Sequence, residues 1–314
     1  MYLVIPSRKP MGNMHRFDAV ILTDPRYVNP TGRGWYIENV LREDGMVRNA
    51  LERRGLNVER LSWDDPAFDW SSTRHIIFRT TWDYFDRYAE FSSWLERARR
   101  LTSMINPYGT IRWNLDKHYL ADLLGKGIPV PPTLFIEAGD MRSLAEIAAS
   151  TGWTEMILKP AISGGARHTY RFVPDEVPGL EGIFRGLIGS EAMMLQEFQQ
   201  SVLLEGELAF MVFGGKYSHA IRKMAKEGDF RVQDDFGGSV RDHEATRQEV
   251  AFAEKVVSTC RPVPVYARVD VIRNNLGNPC VSELELIEPE LWFRTHPPAA
   301  EIFADAVLEY MNRD

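Results

Sequence analysis

Two strand-like runs near the C-terminus constrain this chain more than any other feature. Tyr266-Ala267-Arg268-Val269-Asp270-Val271-Ile272 and Val281-Ser282-Glu283-Leu284-Glu285-Leu286 are rich in β-branched and apolar residues, and the Asn-Asn-Leu-Gly-Asn run between them has turn chemistry. Alternate residues of a strand share a face. Arg268 therefore sides with Asp270, and Glu283 with Glu285. If the two strands pair, three carboxylates and one guanidinium converge. Hard oxygen donors of this kind suit Mg²⁺, which keeps positions open for phosphates. The same pattern also describes a solvated hairpin with ordinary cross-strand ion pairs, so the upstream chain has to separate the two.

Upstream, strands and helices alternate. Phe17 to Thr23 reads as a buried strand, followed by Asp24-Pro25-Arg26, a Gly-rich turn and a helix from about Ile37 to Arg54. Asn57 to Leu61 and His75 to Arg79 are further strands, and a second helix spans about Ala89 to Leu101. This order predicts a parallel, Rossmann-like N-terminal domain to about residue 105. Ligands of such sheets bind just past the strand C-termini. That rule singles out Asp24, Arg79, Thr81, Trp82 and Asp83, each of which also suits plain turn chemistry. No GxGxxG follows the first strand and no GxxxxGK[ST] occurs anywhere. Dinucleotide and Walker-type nucleotide sites are therefore disfavoured.

Beyond residue 105, Asn114 is a candidate cap for a helix to about Leu124, and Pro129, Pro131 and Pro132 force extended chain. Asp140 or Ser143 starts the next helix, ended by Gly152. Met156 to Pro160 is a strand carrying Lys159, and buried lysines need anionic partners. Gly164-Gly165 then makes a hairpin loop whose bare N–H groups suit phosphates, though it also suits a plain turn. Met194 to Phe198 is a strand ending at a hinge. Leu208 to Phe213 and Tyr217 to Arg222 form a hairpin across Gly214-Gly215. His243 to Cys260 and Pro298 to Met311 are helices. His219 reads as structural, and Trp35, Trp63, Trp82 and Tyr84 hint at a walled pocket.

Composition narrows the function classes. A net charge of −7 over 314 residues disfavours nucleic acid as the main partner. Two cysteines are too few for a disulfide scaffold, which points to a reducing cytoplasm. No apolar run reaches membrane-span length, and the short Met-Tyr-Leu-Val-Ile start does not fit a secretory signal. Residues 1–16 carry no legible role.

The ordered set Lys117, Lys159-Pro160, Gly164-Gly165, Gln196-Glu197-Phe198, Gly206-Glu207, Arg268-x-Asp270 and Glu283-x-Glu285 resembles the ATP-grasp superfamily. Ala220 to Arg231, followed by Gly237-Gly238, is similar to the same segment of glutathione-synthetase-like and ribosomal-protein-glutamate-ligase-like members. Arg268-Val269-Asp270 resembles the Arg-x-Asp of D-alanine:D-alanine ligases. Arg79 to Tyr84 and Glu283 to Pro289 are similar to the subgroup of the D-cycloserine-forming ligase.

The resemblance implies an α/β (α+β ATP-grasp) fold. A pre-ATP-grasp domain would span 1–105, with ATP-grasp subdomains at 106–190 and 191–314. It implies ATP bound by Lys117, Lys159, the Ser163-Gly164-Gly165 flap, Gln196, Glu197 and Phe198, with Glu207 or its rival Glu205 on the ribose. Asp270, Glu283 and Glu285 would hold Mg²⁺, commonly two ions in this family, and Arg268, Arg231 and Lys223 would serve the transferring phosphoryl group. Where the family usually has Asn, this chain has Glu285. The loop after it, Leu286-Ile287-Glu288-Pro289-Glu290-Leu291-Trp292, lacks the usual glycine. Glu288 is then a further metal ligand or an amine-recognising group. The implied activity is an ADP-forming carboxylate–amine ligase on a small amino-acid-like substrate, working through an acylphosphate, with ring closure within one molecule as one form of it. Peptide ligation and a non-catalytic ATP-binding module are the alternatives. Relatives are often oligomeric, but no interface is legible.

Overall fold

The computed structural model describes residues 15–32, 34–232 and 237–313. Nearly all of the 1–16 segment, and the Asp234-Asp235-Phe236 run, lie outside the described residues. The first unit begins with β1 (Phe17–Thr23), α1 (Trp35–Glu52), β2 (Val58–Ser62) and β3 (Thr73–Thr80). It is completed by α2 (Tyr88–Ala98) and β4 (Ser103–Ile105). Its strands are all parallel, in the order β2-β1-β3-β4. The sheet is apolar on both faces because both are covered. Ala19, Ile21 and Ile77 pack with α1, while Val20, Leu22, Ile76 and Phe78 pack with α2.

The chain continues through α3 (Tyr108–Asn114) and α4 (Tyr119–Gly125). Sequence pattern starts a helix at Asn114 as its cap and passes over the one before it, and the structure corrects both readings. Asn114 ends α3, and its side chain bridges to the C-terminal hairpin, donating to Leu284 O and accepting from Leu286 N, both at 2.7 Å. A buried amide that completes a strand edge is worth more there than as a cap.

The middle unit holds β5 (Thr133–Ile136), α5 (Leu144–Thr151), β6 (Met156–Pro160), β7 (Tyr170–Phe172), α6 (Val177–Ile188) and β8 (Met193–Glu197). Its antiparallel sheet runs β5-β8-β6-β7. Ser143 and Glu146 form a capping box at the start of α5. Because β8 lies between β5 and β6, a division at residue 190 cuts this sheet. We propose a division after β8 instead.

A short helix, α7 (Ser201–Leu204), leads into β9 (Glu207–Phe213), β10 (Lys216–Met224), β11 (Ser239–Asp242), α8 (Arg247–Ser258), β12 (Tyr266–Arg273), β13 (Pro279–Glu285) and α9 (Pro298–Met311). The sheet order is β11-β10-β9-β12-β13. The helix expected from His243 starts later because Thr246 and Glu249 form its capping box. Gly206 enters β9 with φ +74, and a Cβ there would stand 2.1 Å from Lys223 O, so only glycine fits. α9 packs on α1, joining the last sheet to the first through Arg53 and Arg54 to Glu301 and Arg54 to Asp305. No helix among the described residues is long and apolar enough to cross a membrane.

Candidate active site

β12 and β13 pair antiparallel, with Arg268 opposite Glu285 and Asp270 opposite Glu283. Val269 and Leu284 turn into the core, and the other face lines a cavity of about 580 Å³. Ligand oxygens of Asp270, Glu283 and Glu285 lie within 4.8 Å of one another. Arg268 donates from Nε to Asp270 Oδ1 and from Nη2 to Oδ2, both at 2.9 Å, and Nη2 also meets Glu285. Lys223 on β10 reaches Asp270 Oδ2 at 2.9 Å and Glu207 Oε1 on β9 at 2.5 Å. Lys117 lies 3.1 Å from Glu283 Oε1 and donates to Ser163 O at 2.5 Å.

Burial pushes all these carboxyls up, and the neighbouring cations decide which stay down. Against burial, Arg268 and then Lys223 hold Asp270 below the usual carboxylate range. Lys117 and then Lys159 do the same for Glu283. Glu285 is carried to about 8 by burial, with Arg268 opposing and Glu283 and Asp270 adding. Three closely held carboxylates with no nitrogen or sulfur donor form a hard-oxygen set that fits Mg²⁺. Lys159 on β6 is brought down to about 8 by burial, with Glu283 opposing and Lys117 adding. Two ammonium groups so placed favour an anionic ligand between them.

The middle unit supplies the opposite wall. Ser163, Gly164 and Gly165 line the cavity with Gln196, Glu197 and Phe198. Gly165 has φ +54, and a Cβ on Gly164 would stand 2.6 Å from the Phe85 ring, so the flap needs glycine to lie this close. The Gln196 amide is committed to Thr133 Oγ1 at 2.8 Å. Glu207 lines the cavity and accepts from the Ser282 hydroxyl at 2.6 Å. Its rival Glu205 does not line it. Glu205 is half exposed and pairs with Arg273 at 3.2 Å. Arg231 lines the cavity and is braced by Asp229 at 2.7 Å.

On the N-terminal side the structure divides the candidates. Trp82 and Glu288 line the cavity, whereas Asp24, Arg79, Thr81 and Asp83 stand behind its wall. Asp24 is fully buried and grips Arg26, donating nothing itself and accepting from Arg26 Nη2 at 2.7 Å, so Arg26 is the residue that reaches the cavity. Asp83 accepts from Trp63 Nε1 and Arg87 Nη1, both at 2.8 Å. Arg79 is 1% exposed and donates to Pro289 O at 2.9 Å. Of the aromatic residues expected in a pocket wall, Trp82 and Tyr84 are there, while Trp63 is core and Trp35 is exposed. Tyr27 and Tyr36 complete that wall with Trp82, at ring distances of 6.0 and 6.1 Å from it. Sequence reasoning passed over both tyrosines; their position just beyond β1 was the available signal.

The loop after β13 is fixed from below. Tyr266 Oη donates to Ile287 O, Trp82 Nε1 to Glu288 O, Arg79 to Pro289 O, Arg268 to Glu290 O and His219 Nε2 to Leu291 O, at 2.8, 2.9, 2.9, 3.4 and 2.9 Å. Glu43 of α1 accepts from the N–H groups of Phe293 and Arg294 at 3.1 and 3.0 Å. Side chains from two sheets thereby place Glu288, Glu290 and Trp292 in the cavity wall. Burial raises Glu288 to about 7.

Comparisons with known proteins bear on the family of the chain. Residues 13–106 match the family described as D-cycloserine synthetase DcsG, N-terminal domain, and residues 129–282 match the prokaryotic glutathione synthetase ATP-grasp domain. The chain is 33% identical to the cycloserine biosynthesis protein DcsG of Streptomyces lavendulae, over 82% of this chain and 90% of that protein. The crystal structure of D-cycloserine synthetase DcsG superposes with a TM-score of 0.80 at 29% identity, covering 93% of this chain and 99% of that one. The ATP-grasp ligase PsnB, in a complex with minimal-precursor variant, Mg and ADP, shares the fold at a TM-score of 0.61 and 15% identity, covering 94% and 99%. With a relative one-third identical across most of its length, the chain belongs to the ATP-grasp ligases that join a carboxylate to an amine.

Proposed function

We propose that this ligase activates the carboxylate of a small amino-acid-like molecule with ATP and closes it onto a nitrogen of the same molecule, as D-cycloserine formation requires. The observation that carries this reading is a single cavity with two unlike kinds of lining. Asp270, Glu283, Glu285, Lys117 and Lys159 supply charge, and Tyr27, Tyr36, Trp82 and Tyr84 supply aromatic wall. Its volume is in the range of small-molecule sites.

The chemistry assigns the roles. A carboxylate is a poor electrophile. One of its oxygens attacks the terminal phosphorus of ATP, and ADP leaves. The nitrogen then attacks the acyl carbon, phosphate leaves, and the nitrogen loses a proton. Bound Mg²⁺ neutralises phosphate charge. Asp270, Glu283 and Glu285 are the residues that hold it, in two ions by the family's usual pattern. Lys117, Lys159 and the Ser163-Gly164-Gly165 flap hold the phosphates. The N–H groups of Glu197 and Phe198 are committed to Pro132 O and Glu155 O, so their carbonyls, each able to accept a second bond, take the adenine amino group, and Glu207 takes the ribose. Arg268, with Arg231, steadies the transferring group, and Lys223 fixes Asp270. Glu288 recognises the nucleophilic amine. No protein nucleophile is needed, since positioning alone is worth roughly 7–11 kcal/mol in such reactions. ATP supply and two free, buried cysteines support a cytoplasmic setting.

The test is ADP and phosphate release across carboxylates and amines, singly and in pairs. The panel includes 2-amino-3-aminooxypropanoate, the open-chain form that hydrolysis of cycloserine gives. Release with that compound alone and a cyclic product by mass supports ring closure. Dependence on two compounds moves the reading to intermolecular ligation. Release only with a peptide would overturn the small-molecule assignment.

A further inference from the structure

We propose that Arg60, which does not itself line the cavity, is a positioning residue for the substrate: it holds Tyr27 in the aromatic wall and so sets how closely that wall fits the bound molecule. The inference rests on the ligase reading above and adds to it a residue that touches no ligand.

Arg60 is an unusual occupant of its position. On β2 it shares a face with Val58 and Ser62, and that face packs on α1. Its side chain is only 13% exposed, and its partner Asp44 of α1 is fully buried. A buried ion pair is a poor source of stability beside apolar residues of the same size, so its contribution is sought in geometry. The guanidinium reaches three elements at once. Nε donates to Asp44 Oδ2 at 2.7 Å, Nη1 to Tyr27 O at 2.7 Å and Nη2 to Thr23 Oγ1 at 3.2 Å. A planar fork of fixed geometry makes these bonds together, whereas a lysine ammonium is a single point on a flexible stem.

Tyr27 is where this network meets the site. It ends the single turn Pro25–Tyr27 that follows β1. The start of that turn is fixed by Asp24, whose carboxylate accepts from Arg26 N at 2.8 Å. Its end is fixed by Arg60 on the Tyr27 carbonyl. One turn of this kind is too short to hold itself. The Tyr27 ring stands edge-on to Trp82, 6.0 Å away at 82°, and both residues line the cavity. Trp82 in turn donates to Glu288 O at 2.9 Å.

α1 is the common base of both parts of the wall. Asp44 holds Arg60 and, through it, Tyr27. Its neighbour Glu43 holds the loop that carries Glu288, by the N–H groups of Phe293 and Arg294. Arg79 spans the two carboxylates, 4.0 Å from Glu43 and 3.8 Å from Asp44. The aromatic wall and the loop are thereby referred to one helix, by residues that stand behind the cavity.

Arg60→Lys keeps a charge opposite Asp44 and gives up the fork, so it spares the buried carboxylate and releases the Tyr27 carbonyl. Its KM for 2-amino-3-aminooxypropanoate should rise about 10-fold, less than the cost of a full ångström of misplacement. The affinity for ADP with Mg²⁺ should stay that of the wild type. The preference for this compound over 2-amino-4-aminooxybutanoate should shrink, because the one added methylene is worth about 10–200-fold only in a closely fitted pocket. Unchanged KM and preference would overturn the proposal, as would an equal loss of ADP affinity. Tyr27→Ala separates the two readings. If it moves KM and preference while Arg60→Lys moves neither, the role of Arg60 fails alone. If it moves neither, the aromatic wall does not serve the substrate, and the reading of the site fails with the proposal.

A second measurement does not depend on turnover. With 3-fluorotyrosine in place of tyrosine, the ¹⁹F resonance missing from Tyr27→Phe reports the Tyr27 ring. It should move in Arg60→Lys, while that of Tyr217 on β10, in another sheet, stays in place. A Tyr27 resonance that does not move would overturn the proposal. A wild-type enzyme that turns over neither compound would instead overturn the substrate reading, and this resonance would still decide whether Arg60 sets the ring.

Discussion

At the residue scale the site depends on how each buried charge is paired. Glu283 is set between Lys117 and Lys159, so Glu283→Gln removes one charge from the proposed metal-binding set at almost no change in volume. Turnover should drop by at least ~10³-fold, a loss of about 4 kcal/mol in transition-state stabilisation, while far-UV circular dichroism stays that of the wild type. Normal turnover would remove Glu283 from the site. His219 makes a separate prediction. Burial brings it to about 4, with its bond to Leu291 O opposing and His296, stacked 4.8 Å away, adding. Its folded pKa lies below the ordinary 6.5, so the fold favours the neutral ring. That contribution is complete above pH 6.5 and is lost as pH falls towards 4, by at most about 3 kcal/mol. His219→Gln keeps an N–H for Leu291 and does not titrate. Its urea-unfolding free energy should therefore fall less than the wild type's between pH 7 and pH 4.5. Parallel losses would show that His219 carries no such linkage.

At the element scale, the hairpin was the most legible part of the chain because strand periodicity alone puts Arg268, Asp270, Glu283 and Glu285 on one face, and the structure pairs them in that register. The strands and helices with strong patterns, such as Phe17–Thr23 and Pro298–Met311, were equally plain in the sequence. Short elements were not. β4 has only the three residues Ser103–Ile105, and β5 emerges directly from a proline run. The N-terminal candidates other than Trp82 stand off the cavity in an instructive way. The crevice rule correctly picked the strand ends, but burial turned Asp24, Asp83 and Arg79 inward to brace Arg26, Arg87 and Pro289. Sequence cannot distinguish a residue that touches a ligand from one that holds its neighbour. The loop after β13 is the clearest case, because its supports come from α1, β3, β10 and β12. Glu43→Ala would remove the acceptor of the buried Phe293 N–H and of the half-buried Arg294 N–H, and should cost about 3 kcal/mol in unfolding free energy. It should also reduce kcat/KM by displacing Glu288 and Trp292. Stability within 0.5 kcal/mol of wild type, roughly the range of a surface change, would show the clamp to be dispensable.

At the scale of the whole molecule, the three sheets meet around one cavity, and the parallel sheet closes it by reaching the phosphate flap. Phe85 packs on Gly164, and Asp86 lies 3.3 Å from Arg167 on the same flap. Gly164→Ala places a methyl group inside the Phe85 ring and should push the flap outward, lowering kcat between about 10- and 100-fold, the scale of an ångström-sized misplacement. Phe85→Leu in that background should recover part of the loss. If the double variant is no better than the single, the flap does not rest on Phe85 during turnover.

The central claim is that ATP energy passes through the substrate's own carboxyl group. It is tested most directly by labelling both carboxylate oxygens of the active compound with ¹⁸O and weighing the phosphate released. The account predicts one ¹⁸O in the phosphate per turnover and one retained in the amide product. Unlabelled phosphate, with both labels left on the organic molecule, would contradict an acylphosphate route and require a different use of this site.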